Sequence, residues 1–189
     1  MKKSLPRIAF WLIPEQRFYD ELLAIIVKLA KRFDAPVFQP HVTIYCTRRS
    51  DDRDELTLLT SLAQLTRPLT LNVETVQTGE SLNKTLFLQL QKTAECNSLY
   101  QVLHGAASSP SGYRFDPHLS LLYQHTPRFM REALVSQLGF PYTAIRFDRL
   151  QAVAIPENLS SLESFLGWQT LLSIRLAPSK TACEDPICR

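Results

Sequence analysis

The feature that most constrains this chain is a short pattern written twice. Residues 40–45 read Pro40-His41-Val42-Thr43-Ile44-Tyr45, and residues 117–122 read Pro117-His118-Leu119-Ser120-Leu121-Leu122. Each is an apolar-rich run of strand length, and in a strand residues i and i+2 share a face. His41 and Thr43 therefore stand on one side, about 7 Å apart along the strand, with Val42 and Ile44 turned into a core. His118 and Ser120 share a face in the same way, backed by Leu119 and Leu121. A single His-x-Thr in a strand is commonplace and is more often a part-buried histidine than a catalyst. The full pattern on two of only four histidines is, for this composition, a coincidence on the order of 10⁻⁵. The repeat carries meaning.

The surroundings of the two copies repeat as well. Ile8–Ile13 is an apolar run closed by Pro14, which reads as a buried strand. From Glu15 to Phe33 the apolar positions Phe18, Leu22, Ile25, Ile26 and Leu29 follow helical spacing. The first motif strand runs to about Thr47, and Asp51 or Asp52 is expected to cap a helix carrying Leu56, Leu59, Leu62 and Leu65. A strand follows from Leu69 to Thr78. The same order then restarts: strand Thr85–Leu90, helix 93–108, motif strand 118–123, a helix opened by Thr126-Pro127 and running to Leu138, and a strand from Tyr142 to Ile155. A last strand covers Trp168–Leu176. The opening strand starts 33 residues before the histidine in the first half, from 8 to 41, and 34 in the second, from 84 to 118.

This pattern predicts an α+β fold: a duplicated strand-helix-strand-helix-strand unit forming two lobes of mainly antiparallel sheet, with outer helices around a central cleft. The units span about 8–79 and 84–176 of a single bilobal domain, 1–176. Residues 177–189, with little apolar content, are expected to be a disordered tail. Which strands pair across the two lobes stays open.

Composition narrows the function. The chain has 189 residues, 45% of them hydrophobic, with a net charge of +3. That suits a phosphate-bearing ligand and is too mild for a long nucleic-acid duplex. Cys46, Cys96, Cys183 and Cys188 show no zinc-like spacing, so reduced thiols in a cytoplasmic protein are expected. The apolar run Ile8–Ile13 is too short for a signal peptide or a membrane span.

The chemistry follows from the residue types. Opening a cyclic phosphodiester needs a base to deprotonate water and an acid to protonate the departing ribose oxygen. Imidazole serves both because its ordinary pKa, about 6.5, lies near working pH. Thr43 and Ser120 supply hydrogen-bond donors for charge developing on the phosphoryl oxygens. Trp11 is either a stacking surface for a base or core. Tyr123 lies five residues after His118, where strict alternation puts it on the opposite face; a bulge or the strand end would return it. Arg48 and Arg49 read as a solvated pair rather than a phosphate site, His104 and His125 as surface residues, and Asp116 as a turn residue whose short reach before Pro117 weighs against its orienting a motif histidine.

These paired His-x-Thr/Ser motifs on a duplicated fold resemble the two-histidine phosphoesterase superfamily, which includes bacterial and archaeal 2′-5′ RNA ligase-like proteins. The chain looks closest to the cyclic phosphodiesterase branch of plants and yeast. The likeness runs through Phe10-Trp11-Leu12-Ile13-Pro14, Phe38 to Ile44, Thr78-Gly79, Phe87–Gln91, Pro117–Tyr123, Ile145–Leu150 and Trp168-Gln169-Thr170. It implies metal-independent hydrolysis of ADP-ribose 1″,2″-cyclic phosphate or nucleoside 2′,3′-cyclic phosphates. Apart from the resemblance, no cofactor and no membrane partner are expected, and the chain is expected to be a monomer. It implies His41 and His118 as catalysts, Thr43 and Ser120 as phosphate-binding hydroxyls, and Trp11 and Tyr123 as site-lining aromatics. It leans towards His118 as base and His41 as acid. The four cysteines do not match the structural bridges of plant members. The rival readings are an enzyme acting on RNA ends, either a 2′,3′-cyclic phosphodiesterase or a 2′-5′ RNA ligase-like protein, and a non-catalytic nucleotide- or RNA-binding module. A metal hydrolase would need more ligands than two histidines.

Overall fold

The computed structural model describes residues 7–48, 54–107, 111–157, 161–165 and 167–178. The strands are β1 (Arg7–Pro14), β2 (Val42–Arg48), β3 (Leu69–Thr78), β4 (Leu86–Leu90), β5 (His118–Leu122), β6 (Ala144–Ile155) and β7 (Gln169–Arg175). The helices are α1 (Gln16–Phe33), α2 (Glu55–Leu65), α3 (Ala94–Ala106) and α4 (Arg128–Gln137). The order is the one the sequence predicts, and every strand pairing is antiparallel.

Local chemistry sets the boundaries. On α1 the apolar stripe buries Leu22, Ile26, Leu29 and Ala30. The helix ends at Asp34, whose φ of 49° is left-handed, a conformation that aspartate tolerates better than most side chains. On α2 the cap is Asp54, whose Oδ1 accepts the N–H groups of Leu56 and Thr57 at 3.2 and 3.1 Å. The expected caps Asp51 and Asp52 lie outside the described residues. At the other end of the chain Ala177 donates its N–H to the carbonyls of Ala63 and Thr66 at 3.0 and 2.9 Å. Ala177, just past the expected end of the domain at 176, is thus tied to the end of α2; residues 179–189 lie outside the description.

The topology answers what the sequence left open. The sheet order is β1-β2-β5-β4-β3-β6-β7, with a further pairing of β1 to β6 that closes the circuit. In the first half β1 is flanked by β2 and by β6 of the second half; in the second, β4 is flanked by β5 and by β3 of the first. The third strand of each repeat thus crosses into the other lobe. The helices follow: α1 packs on β5 and α3 on β2, α2 on β6 and α4 on β3. Neither half can complete its core without the other.

Between the lobes, β2 and β5 meet at one pair, Val42 opposite Leu119. These are the residues that follow the two histidines. The antiparallel sense then sets His41 across from Ser120 and Thr43 across from His118. The four motif side chains are gathered about the pseudo-twofold axis.

Candidate active site

A second repeated device shapes the face that these side chains share. The β1–β2 register steps from Trp11 opposite Thr43 to Phe10 opposite Tyr45, leaving Ile44 as an extra residue. The β4–β5 register steps from Phe87 opposite Ser120 to Leu86 opposite Leu122, leaving Leu121 extra. Each lobe therefore carries a β-bulge one residue after its hydroxyl. A bulge inverts the alternation beyond it, so Tyr123 returns to the face of His118 and Ser120. By the same inversion Cys46 returns to the face of His41 and Thr43.

One cavity of ≈ 190 Å³ is lined by all six residues named from the sequence: Trp11, His41, Thr43, His118, Ser120 and Tyr123. Arg7, Cys46, Asn83, Tyr113, Phe165 and Trp168 also line it. Sequence reading missed most of these because they come from strand ends and from two 3-10 turns, Leu82–Lys84 and Leu162–Phe165, which have no periodicity to detect. A larger hollow of ≈ 640 Å³ between α2 and α3 contains no histidine. Arg48 pairs with Glu157 at 3.1 Å, whereas Arg49 lies outside the description. His125 is exposed and His104 half-buried, against Tyr45 and Tyr100.

Both imidazoles are held in the same way. His41 Nδ1 lies 2.8 Å from the Gln39 carbonyl and His118 Nδ1 lies 2.7 Å from the Asp116 carbonyl. A carbonyl only accepts, so each Nδ1 carries the proton and Nε2 is the basic atom of the neutral ring. A signal for this was present: each histidine follows a proline, which holds the residue before it extended and presents the carbonyl two positions back. Asp116 thus does orient its histidine, through its backbone.

The supports behind those carbonyls differ. Gln39 donates to Gln151 Oε1 at 2.7 Å, and Gln151 donates to Ser173 Oγ at 3.2 Å, a neutral chain. The Asp116 carboxylate takes Lys84 Nζ at 2.6 Å and Gln89 Nε2 at 2.9 Å. Burial would push that carboxyl up, but the bonds from Lys84 and Gln89 outweigh it and hold it below its ordinary pKa.

The histidines differ accordingly. Burial lowers His41 to about 4, offset in part by the Gln39 carbonyl and reinforced by the charge of His118. Burial also lowers His118, which the Asp116 carbonyl and carboxylate oppose and Lys84 assists. Because each charge repels the other, the pair holds one proton before two. His41, the more deeply buried ring, is the one left neutral.

The aromatic residues hold this arrangement. Trp11 is 2% exposed and stacks on His41 with ring centroids 3.7 Å apart and planes 17° apart. It supports an imidazole where the sequence left a choice between base stacking and core. Tyr123 is stacked between Phe38 at 3.8 Å and Phe165 at 4.5 Å, with its hydroxyl close to Ser120.

The two hydroxyls are also unlike. Thr43 Oγ1 has no hydrogen-bond partner among the described residues, whereas Ser120 Oγ donates to the Asn83 carbonyl at 2.7 Å. Asn83 sits on a turn that depends on Gly79, where a Cβ would lie 2.9 Å from the Lys84 carbonyl oxygen. Gly79→Ala is therefore expected to displace the turn and to cost about 1–3 kcal/mol in urea unfolding. An unchanged unfolding midpoint would show that the turn yields freely.

The comparisons with known proteins agree on the fold. A family model described as cyclic phosphodiesterase-like protein matches residues 7–138. A Bacillus cereus (strain B4264) protein bearing a phosphoesterase name is 29% identical over 99 residues, spanning 49% of this chain and 58% of that protein. Among solved structures, E. coli LigT complexed with ATP superposes with a TM-score of 0.59 at 14% identity, covering 93% of this chain and 99% of LigT. LigT has also been solved with phosphate, 3′-AMP and NADP+. The protein TT0787 of Thermus thermophilus gives 0.59 at 14% identity, covering 91% of this chain and 98% of its own.

Proposed function

Because the chain belongs to the cyclic phosphodiesterase-like family, within the two-histidine phosphoesterase superfamily, we propose that it hydrolyses a ribose cyclic phosphate to a phosphomonoester. The observation that carries this reading is the matched pair of imidazoles lining one cavity. Each is pinned at Nδ1 by a backbone carbonyl, so Nε2 remains for proton transfer. The nucleotide ligands of LigT, which shares the fold, support a nucleotide-type substrate. ADP-ribose 1″,2″-cyclic phosphate and nucleoside 2′,3′-cyclic phosphates fit that description, as they do for the plant and yeast branch.

His41 takes the proton of the attacking water and His118 protonates the ribose oxygen that leaves. This division reverses the one implied by the family resemblance, and the greater burial of His41 supports it. Thr43 donates to the phosphoryl oxygens at once, whereas Ser120 must first turn from Asn83. Trp11 and Tyr123 hold His41 and Ser120 in place. Ring strain and an internal leaving group relieve the reaction of any need for a metal template. Among the described residues no three His, Cys, Asp or Glu side chains gather as a metal site would require, and no helix there is long and apolar enough to cross a membrane.

Purified protein assayed on ADP-ribose 1″,2″-cyclic phosphate, 2′,3′-cyclic AMP and an RNA ending in a cyclic phosphate tests the reading. The small substrates are expected to have the higher kcat/KM, unchanged after exhaustive chelation. A preference for RNA that collapses as salt rises would favour an RNA-end enzyme. Activity restored to chelated protein only by a divalent ion would refute the metal-free reaction.

A further inference from the structure

Strand alternation puts Arg7, Ala9 and Trp11 on one face of β1, and all three line the cavity with the histidines. Arg7 is half-buried, and it forms no ion pair among the described residues. Its guanidinium lies against the Cys46 thiol, a neutral partner. Across the strand pair it faces Arg48, which Glu157 neutralises. Like charges placed opposite one another repel, so this end of the cavity has a cation too many. No aspartate or glutamate is among the lining residues.

The floor between Arg7 and the histidines is low. Ala9 and Cys46 are cross-strand partners, both small, and both line the cavity. Four residues of strand, about 13 Å, separate Arg7 from Trp11, which lies opposite Thr43. A long arginine side chain reaches part of that way back. A ligand whose reacting phosphate sits at Thr43 and Ser120 can run its ribose along this wall of the cavity, beside Tyr113 and Trp168, and bring a further anion to Arg7.

We infer that Arg7 is a specificity residue that binds a second phosphate, so that the site prefers cyclic phosphates carrying one. The inference rests on the reaction proposed above and adds the class of substrate that the site selects. A guanidinium offers five donors in a planar fork that matches a phosphate face. The Arg7 end therefore suits a phosphate or pyrophosphate attached through the ribose 5′ oxygen.

The test compares adenosine 2′,3′-cyclic phosphate with the same compound bearing a 5′-phosphate. The reacting ring is identical in the two, so their kcat/KM ratio isolates the added group. The wild-type protein is expected to favour the 5′-phosphorylated compound about tenfold or more, as a charge-assisted hydrogen bond would give. In Arg7→Gln the ratio should fall towards one, and Arg7→Lys should keep part of it through charge without the fork. A fraction of misfolded variant cancels in the ratio. A wild-type ratio near one, or an unchanged ratio in Arg7→Gln, overturns the role of Arg7 while leaving the reaction standing. If neither compound turns over, the proposed reaction fails instead. Equilibrium binding of the two then judges Arg7, with equal wild-type affinities counting against it.

Discussion

On a ribose cyclic phosphate, His118→Ala is expected to lower kcat/KM about a thousandfold, within the range that general acid–base catalysis contributes. Most of that loss should disappear on a diester with a nitrophenolate leaving group. The reason lies in what leaves. A ribose alkoxide is strongly basic and needs a proton as it departs, whereas nitrophenolate is stable without one. Water must be activated in both reactions, so His41→Ala should stay impaired on either substrate. The site favours this division because His41 is the more deeply buried ring, which burial lowers to about 4, whereas His118 is lowered less. The pH profile of kcat/KM should be a bell lying on the acid side of neutrality. Its acid limb reflects protonation of His41, at about 4 in the free site, and its alkaline limb the loss of the proton from His118, below the ordinary histidine value. The limbs belong to the coupled pair, and the leaving group tells which histidine owns which. Rescue of His41→Ala instead would restore the assignment implied by the family.

The duplication was legible because it is written in short-range terms. Helix stripes such as Leu22, Ile26 and Leu29, and the proline that starts each motif, act within a few residues of their own position. The exchange of β3 and β6 between lobes was not legible, since either strand could have closed its own half with the same apolar pattern. Its cause is long-range: β6 is long enough to pair with β3 through Ala144–Phe147 and with β1 and β7 farther on. The motif residues were read from alternation alone, and that rule failed at Tyr123 because an extra residue at Leu121 shifts the phase. Ile44 repeats the shift, so the bulge belongs to the duplicated unit; yet nothing distinguishes Ile44 or Leu121 in sequence from any other core aliphatic. Arg7 was passed over for a related reason. An arginine at a strand end reads as solvated until the neighbouring strands show that its face is a cavity.

Acid should destabilise this fold through His41 in particular. The unfolded chain holds His41 near its ordinary pKa of 6.5, whereas burial lowers it to about 4 in the fold. Between those values the unfolded state binds more protons, so stability falls with falling pH. The contribution is intact above about pH 6.5, declines below it, and is gone below about pH 4. At about 1.4 kcal/mol per unit, a shift from 6.5 to about 4 amounts to about 3 kcal/mol. His118 adds a loss of the same sign, since burial lowers it too. His41→Gln removes the titrating group while keeping an amide that can donate to the Gln39 carbonyl. Urea unfolding at about pH 7.5 and about pH 4.5 would separate His41 from the carboxylates, which titrate alike in both proteins. The wild type is expected to lose about 2–3 kcal/mol more than the variant across that interval. Parallel losses in the two proteins would show that His41 is solvated in the free protein. The argument for its neutrality, and with it the assignment of His41 as base, would then fall.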